Sequence, residues 1–136
     1  MPVNIQQSKK FTDSVHIASS DPNTPDLDFT YELAPEMMVG RAQKLIAALE
    51  NAQNELLLHS DSEQAAEAYG TAVLNLFVLF FGTENAEKIV DFYEGRYADM
   101  LSDFLPAITK DIMPKLRDAS RKKAGWFKRA AKRRKV

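Results

Sequence analysis

From Thr71 to Gly82 the chain reads TAVLNLFVLFFG. On a helix, Val73, Leu74, Leu76, Phe77, Val78, Leu79, Phe80 and Phe81 point in every direction, leaving only the Asn75 side for water. Such a segment needs neighbours all round. A membrane span takes about 20 apolar residues. This run reaches roughly half of that before charges resume, so it predicts the central helix of a small helical domain and no membrane partner.

The flanking patterns supply the neighbours. Leu27, Phe29, Tyr31 and Leu33 alternate with Asp28, Thr30 and Glu32, which reads as a half-buried strand, and Phe11 to Ile17 alternates more weakly. The SSDPNTPD stretch between them, with Pro22 and Pro25, predicts the loop of a small hairpin. A lone hairpin is marginal in water, so this one has to lie on the helices or pair with another subunit. After Pro35, the residues Met38, Ala42, Leu45, Ile46, Leu49 and Leu56 recur at helical spacing, predicting a helix that ends near Leu58.

Ser60 followed by Glu63 spells a capping box opening the central helix. Gly82 supplies its C-terminal cap, and Thr83 starts the next helix. That helix, Glu84 to Glu94, breaks at Gly95. From Arg96 onward Tyr97, Met100, Leu101, Phe104, Leu105, Ile108, Ile112 and Leu116 form one apolar stripe. Pro106 and Pro114 lie within the stripe and predict a break or kinks. The expected fold is mainly α: a compact bundle of about four or five helices with a small N-terminal β-hairpin and a basic C-terminal helical tail. Its expected divisions are a polar segment over 1–25 that includes one hairpin strand, a helical domain over 26–118 and a basic tail over 119–136.

Charge adds an asymmetry that the net value of -1 hides. Eleven of the 18 Lys and Arg fall from Lys115 onward, against one of the 19 acids, Asp118, which leaves seven cations and eighteen acids before it. The end of the chain is thus about +10 and the rest about -11. Opposite charges at this separation favour contact between tail and body, oligomer formation, or an anionic partner. The RKKAGWFKRAAKRRKV stretch is the candidate partner-binding segment, through Lys122, Lys123, Trp126, Phe127, Lys128, Arg129, Lys132, Arg133 and Arg134. Its cations suit phosphates and Trp126 suits stacking on a base, so a small nucleic-acid-binding protein is the alternative reading. A solvated tail that keeps the protein soluble is the blander one.

Reaction chemistry finds little footing. With no Cys, thiolate catalysis, cysteine zinc sites and a disulfide framework are excluded. His16 and His59 stand in no metal spacing, and Asp21, Asn23, Asp26 and Asp28 lack the glycine and the terminal glutamate of a calcium loop. No phosphate-binding glycine loop or nucleophile elbow occurs. The expectation is no enzyme, no metal and no cofactor. The opening residues, MPVNIQQSKKF, have no apolar stretch of signal-peptide length, which predicts a cytosolic protein.

Taken together, LDFTYEL leading into a helix, the NLFVLFFG helix, and ENAEKIVDFYEGRYADMLSDFLPAITKDIMPKLRDASRKKA resemble the tail assembly chaperones of long-tailed bacteriophages of Gram-positive hosts. The resemblance spans Leu27 to about Ala124 and is most specific around FYEGRYADMLSDFLPAI. It implies a protein that binds the long tape measure protein in the host cytoplasm, keeps it soluble, and helps tail tube protein polymerise around it. It also implies release before the virion matures, with this chain as the short form of a pair whose frameshifted extension recruits the tube protein. Many weak apolar contacts from a helical surface suit that task without an active site.

Overall fold

The computed structural model describes residues 3, 4, 11–119 and 121. Its chain order is β1 (Phe11–Ile17), β2 (Leu27–Leu33), α1 (Pro35–Leu58), α2 (Glu63–Phe81), α3 (Thr83–Phe92) and α4 (Tyr97–Ala107), followed by a π-helical turn over Ile108–Ile112 and further α-helix over 113–119. The protein is a mainly helical bundle carrying one small antiparallel hairpin.

The hairpin pairs as the alternation predicts, from Phe11 opposite Leu33 to Ile17 opposite Leu27. Phe29, Tyr31 and Leu33 are buried while Asp28, Thr30 and Glu32 face water. The acids of the loop are used locally. Asp21 Oδ1 accepts from the Asn23 amide, and Asp26 Oδ1 accepts from the Ser19 amide. β2 lies on α2 and α3, with the Phe29 and Tyr31 rings edge-on to Phe81 at 5.5 and 4.9 Å. Asn85 fixes the outer side of β2: its Nδ2 donates to the Thr30 carbonyl at 2.8 Å and to the Phe81 carbonyl at 2.9 Å. A strand carbonyl that would otherwise lack a partner is thereby satisfied.

α2 occupies the centre, against α1, α3, α4 and β2. Phe77 and Phe80 are fully buried, and Phe77 meets Phe104 of α4 at 5.0 Å between ring centres. By length and composition α2 is long and apolar enough to cross a membrane. Its Leu74, Val78 and Leu79 are half-buried, and among its residues from Leu74 to Phe81 only Asn75 is exposed. Each large side chain so removed from water contributes about 1.5–3 kcal/mol. Where α4 meets α2, a Cβ on Gly70 would stand 3.0 Å from the Tyr97 ring, so a larger residue there would require the ring to shift by a few tenths of an ångström.

Two expectations are corrected and one is made specific. The cap of α2 is Ser62, whose Oγ accepts from the Ala65 amide at 3.2 Å; Ser60 lies in the turn before it, and Glu63 becomes the first helical residue. A second serine two positions on offered the same chemistry one short turn later. The break or kinks expected at Pro106 and Pro114 take the form of a π-helical turn between them, which interrupts the regular α-helix. The Ile108 amide bonds back to Phe104 and Leu105, Thr109 Oγ1 donates to the Leu105 carbonyl at 2.9 Å, and the Met113 amide reaches the Ile108 carbonyl, five residues back. The wider π turn absorbs the mismatch that two missing amides create. Leu105, placed in the buried stripe, is 46% exposed.

The ends of the other elements follow the sequence. α1 begins at Pro35 and stops at Leu58. Gly82, at φ 86°, closes α2 with its amide on the Val78 carbonyl and leads directly into α3. Glu94 and Gly95, both at positive φ, make the turn into α4.

Candidate partner-binding surfaces

The nine residues singled out in the tail, Lys122 through Arg134, lie outside the described residues. Among the grooves that the described residues form, two lie on opposite sides of the stretch that runs through α4 and the π turn.

The first groove lies between α1 and this stretch and has a volume of about 450 Å³. Its floor is core: Leu49, Leu76, Leu101, Ile108 and Met113 are buried. Half-buried Ile46 stands on one wall and exposed Leu105 on the other, with Glu50, Gln53 and Arg117 as its polar surrounds. α1 packs chiefly on α2 and little on α4, and the apolar floor lies between α1 and α4. The π turn contributes Ile108 and Thr109 to this groove. An apolar trough between two helices fits the apolar face of a third. At the far end of α1, Leu57 and Leu58 are 76% and 73% exposed.

The second groove, about 620 Å³, lies between β1 and the other side of the same stretch. Val15, Tyr31, Phe81, Phe104 and Ile112 line its apolar part, and Asp13, Asp103 and Asp111 its acidic part. Lys115 closes one end, its Nζ 2.9 Å from Asp13 Oδ2 and 3.1 Å from Asp111 Oδ1. This pairing holds the Asp13 carboxyl below its ordinary range, chiefly through the hydrogen bond from Lys115, and raises the Lys115 ammonium for the same reason. At the other end Tyr93 Oη donates to Asp103 Oδ2 at 2.8 Å. Burial, reinforced by that carboxylate, pushes the Tyr93 phenol well above its usual value.

His16 sits at the loop end of the hairpin against Asp28, with Asp26 3.5 Å from its other nitrogen. The hydrogen bond to Asp28 raises the imidazole pKa. No cluster of three or more His, Cys, Asp or Glu with metal-binding geometry occurs among the described residues. His59 stands apart near the end of α1, at 4.0 Å from Glu55.

No family model, curated protein or solved structure matches the chain. The grooves therefore carry the functional reading together with the sequence resemblance. Neither groove was marked by a motif. Leu105 belongs to the same apolar stripe as Leu101, Phe104 and Ile108 in the sequence, and its exposure shows only in the packing.

Proposed function

We propose that the protein is a phage tail assembly chaperone that binds an amphipathic segment of the tape measure protein in the groove between α1 and α4. The carrying observation is that groove's composition, an apolar floor of Leu49, Leu101, Ile108 and Met113 left open beside the exposed Leu105. A tape measure protein is long, helical and poorly soluble alone, as the resemblance implies, and its apolar stripe has the chemistry this trough accepts. Transient cover in the host cytoplasm then keeps it soluble while tail tube protein polymerises around it, with the chaperone leaving before the virion is complete. Self-association of the chaperone along the tape measure belongs to the same reading.

Co-expression tests it. A tape measure fragment that is insoluble alone becomes soluble and co-purifies with the intact chain. If the chain instead leaves the fragment insoluble and binds DNA or RNA with an affinity that falls steeply with salt, the nucleic-acid reading replaces it.

A further inference from the structure

We propose that the basic C-terminal segment, residues 122–136, folds back along its own chain and occupies the acidic groove between β1 and the helical stretch 103–112. This is independent of the chaperone reading, which uses the groove on the other side.

Charge complementarity selects this occupant. The groove pairs an apolar floor with Asp13, Asp103 and Asp111, and among its charged lining residues only His16 is basic, with Lys115 capping one end. The C-terminal segment has the matching chemistry, with Trp126 and Phe127 followed by Lys128, Arg129, Lys132, Arg133, Arg134 and Lys135. Opposite charges along one line give orientation as well as attraction.

Direction and reach agree. The Asp13 end of β1 lies by Lys115 and Asp111, and the Ile17 end by Tyr93 and Asp103, so the helical stretch runs opposite to β1. A chain that turns back after Arg121 enters at the Lys115 end and descends parallel to β1. Arg121 stands about 9 Å beyond Lys115 along a helix, and the groove from Asp111 to Asp103 is about 12 Å long at 1.5 Å per residue. Fifteen extended residues span roughly 50 Å, more than the return requires. Gly125, after Lys122 and Lys123, has the spelling of a helix stop, where such a reversal is made.

The consequence is protective. β1 has no strand on its second side among the described residues, and an open edge is a template for unwanted pairing. A cationic segment laid beside it removes the template. It also keeps the eight cations of residues 122–136 from sticking to nucleic acid.

The chain has no cysteine, so an introduced pair reports on this contact alone. Ala107→Cys places a thiol on the exposed groove wall and Ala131→Cys places one in the basic segment. In dilute full-length protein, oxidation is expected to give a disulfide within one chain. Lys132→Glu, Arg133→Glu and Arg134→Glu together are expected to remove most of that product, as is high salt. Equal yield with the charges reversed overturns the proposal, because a merely tethered tail would do the same. A product that joins two chains, or no product, overturns it as well.

Discussion

Lys115 Nζ lies 2.9 Å from Asp13 Oδ2, across 102 residues of sequence, and ties the start of the hairpin to the end of the helical stretch. Both side chains are partly exposed, so the pair is worth about 0.2–1 kcal/mol after screening. Because the folded Asp13 pKa is lowered, its contribution is complete above the ordinary carboxylate pKa and is lost as pH falls through the lowered value. Because that of Lys115 is raised, its contribution is complete below the ordinary lysine pKa and is lost as pH rises through the raised value. A double-mutant cycle with Asp13→Asn and Lys115→Met, followed by urea melts near neutral pH, is expected to return a coupling in that range. A coupling of zero at low salt contradicts the link.

His16 titrates above an unperturbed histidine, because Asp28 and then Asp26 favour the imidazolium. Its support of the hairpin is therefore full below the ordinary imidazole pKa and fades as pH rises through the raised one. A proton NMR titration checks this directly, with Asp28→Asn moving the His16 midpoint down. An unchanged midpoint in that variant shows the contact to be absent in solution.

Phe77 is fully buried between α2's neighbours and packs edge-on against Phe104 at 5.0 Å. Phe77→Ala is expected to cost about 3–5 kcal/mol, the usual cost of emptying such a site. The variant is expected to be barely folded. A melting temperature within a degree or two of the parent contradicts the placement of α2 at the centre.

Elements were legible in the sequence wherever a periodic apolar pattern coincided with a local stop signal. Pro35, Gly82 and Gly95 each mark a boundary that the structure observes, and the alternation from Leu27 to Leu33 gave the buried face of β2. Other features depend on relations that no local window contains. Ser60 and Ser62 spell similar caps, and only the geometry of the preceding turn decides between them. Pro106 and Pro114 predicted a break or kinks, but the pattern does not show that the interruption is a five-residue π turn between them. Asn85 on the Thr30 carbonyl and Lys115 on Asp13 link positions far apart in the chain. The apolar groove was invisible for a further reason. Its floor is ordinary core, and what makes it a surface is that α1 and α4 pack little on each other, a property of packing rather than of either helix.

The proposed function places the partner in the open trough rather than on the basic segment. Leu105 on its rim is 46% exposed, so Leu105→Glu removes little buried area and is expected to change stability by no more than about 0.5 kcal/mol. Placing a carboxylate beside Leu101 and Ile108 does, however, oppose the seating of any apolar helix. The most direct measurement is the soluble yield of a co-expressed tape measure fragment with the parent chain and with Leu105→Glu, at matched chaperone levels and melting temperatures. Loss of most of the soluble complex in the variant is the expected result. Undiminished solubilisation by a stably folded Leu105→Glu protein would contradict the account.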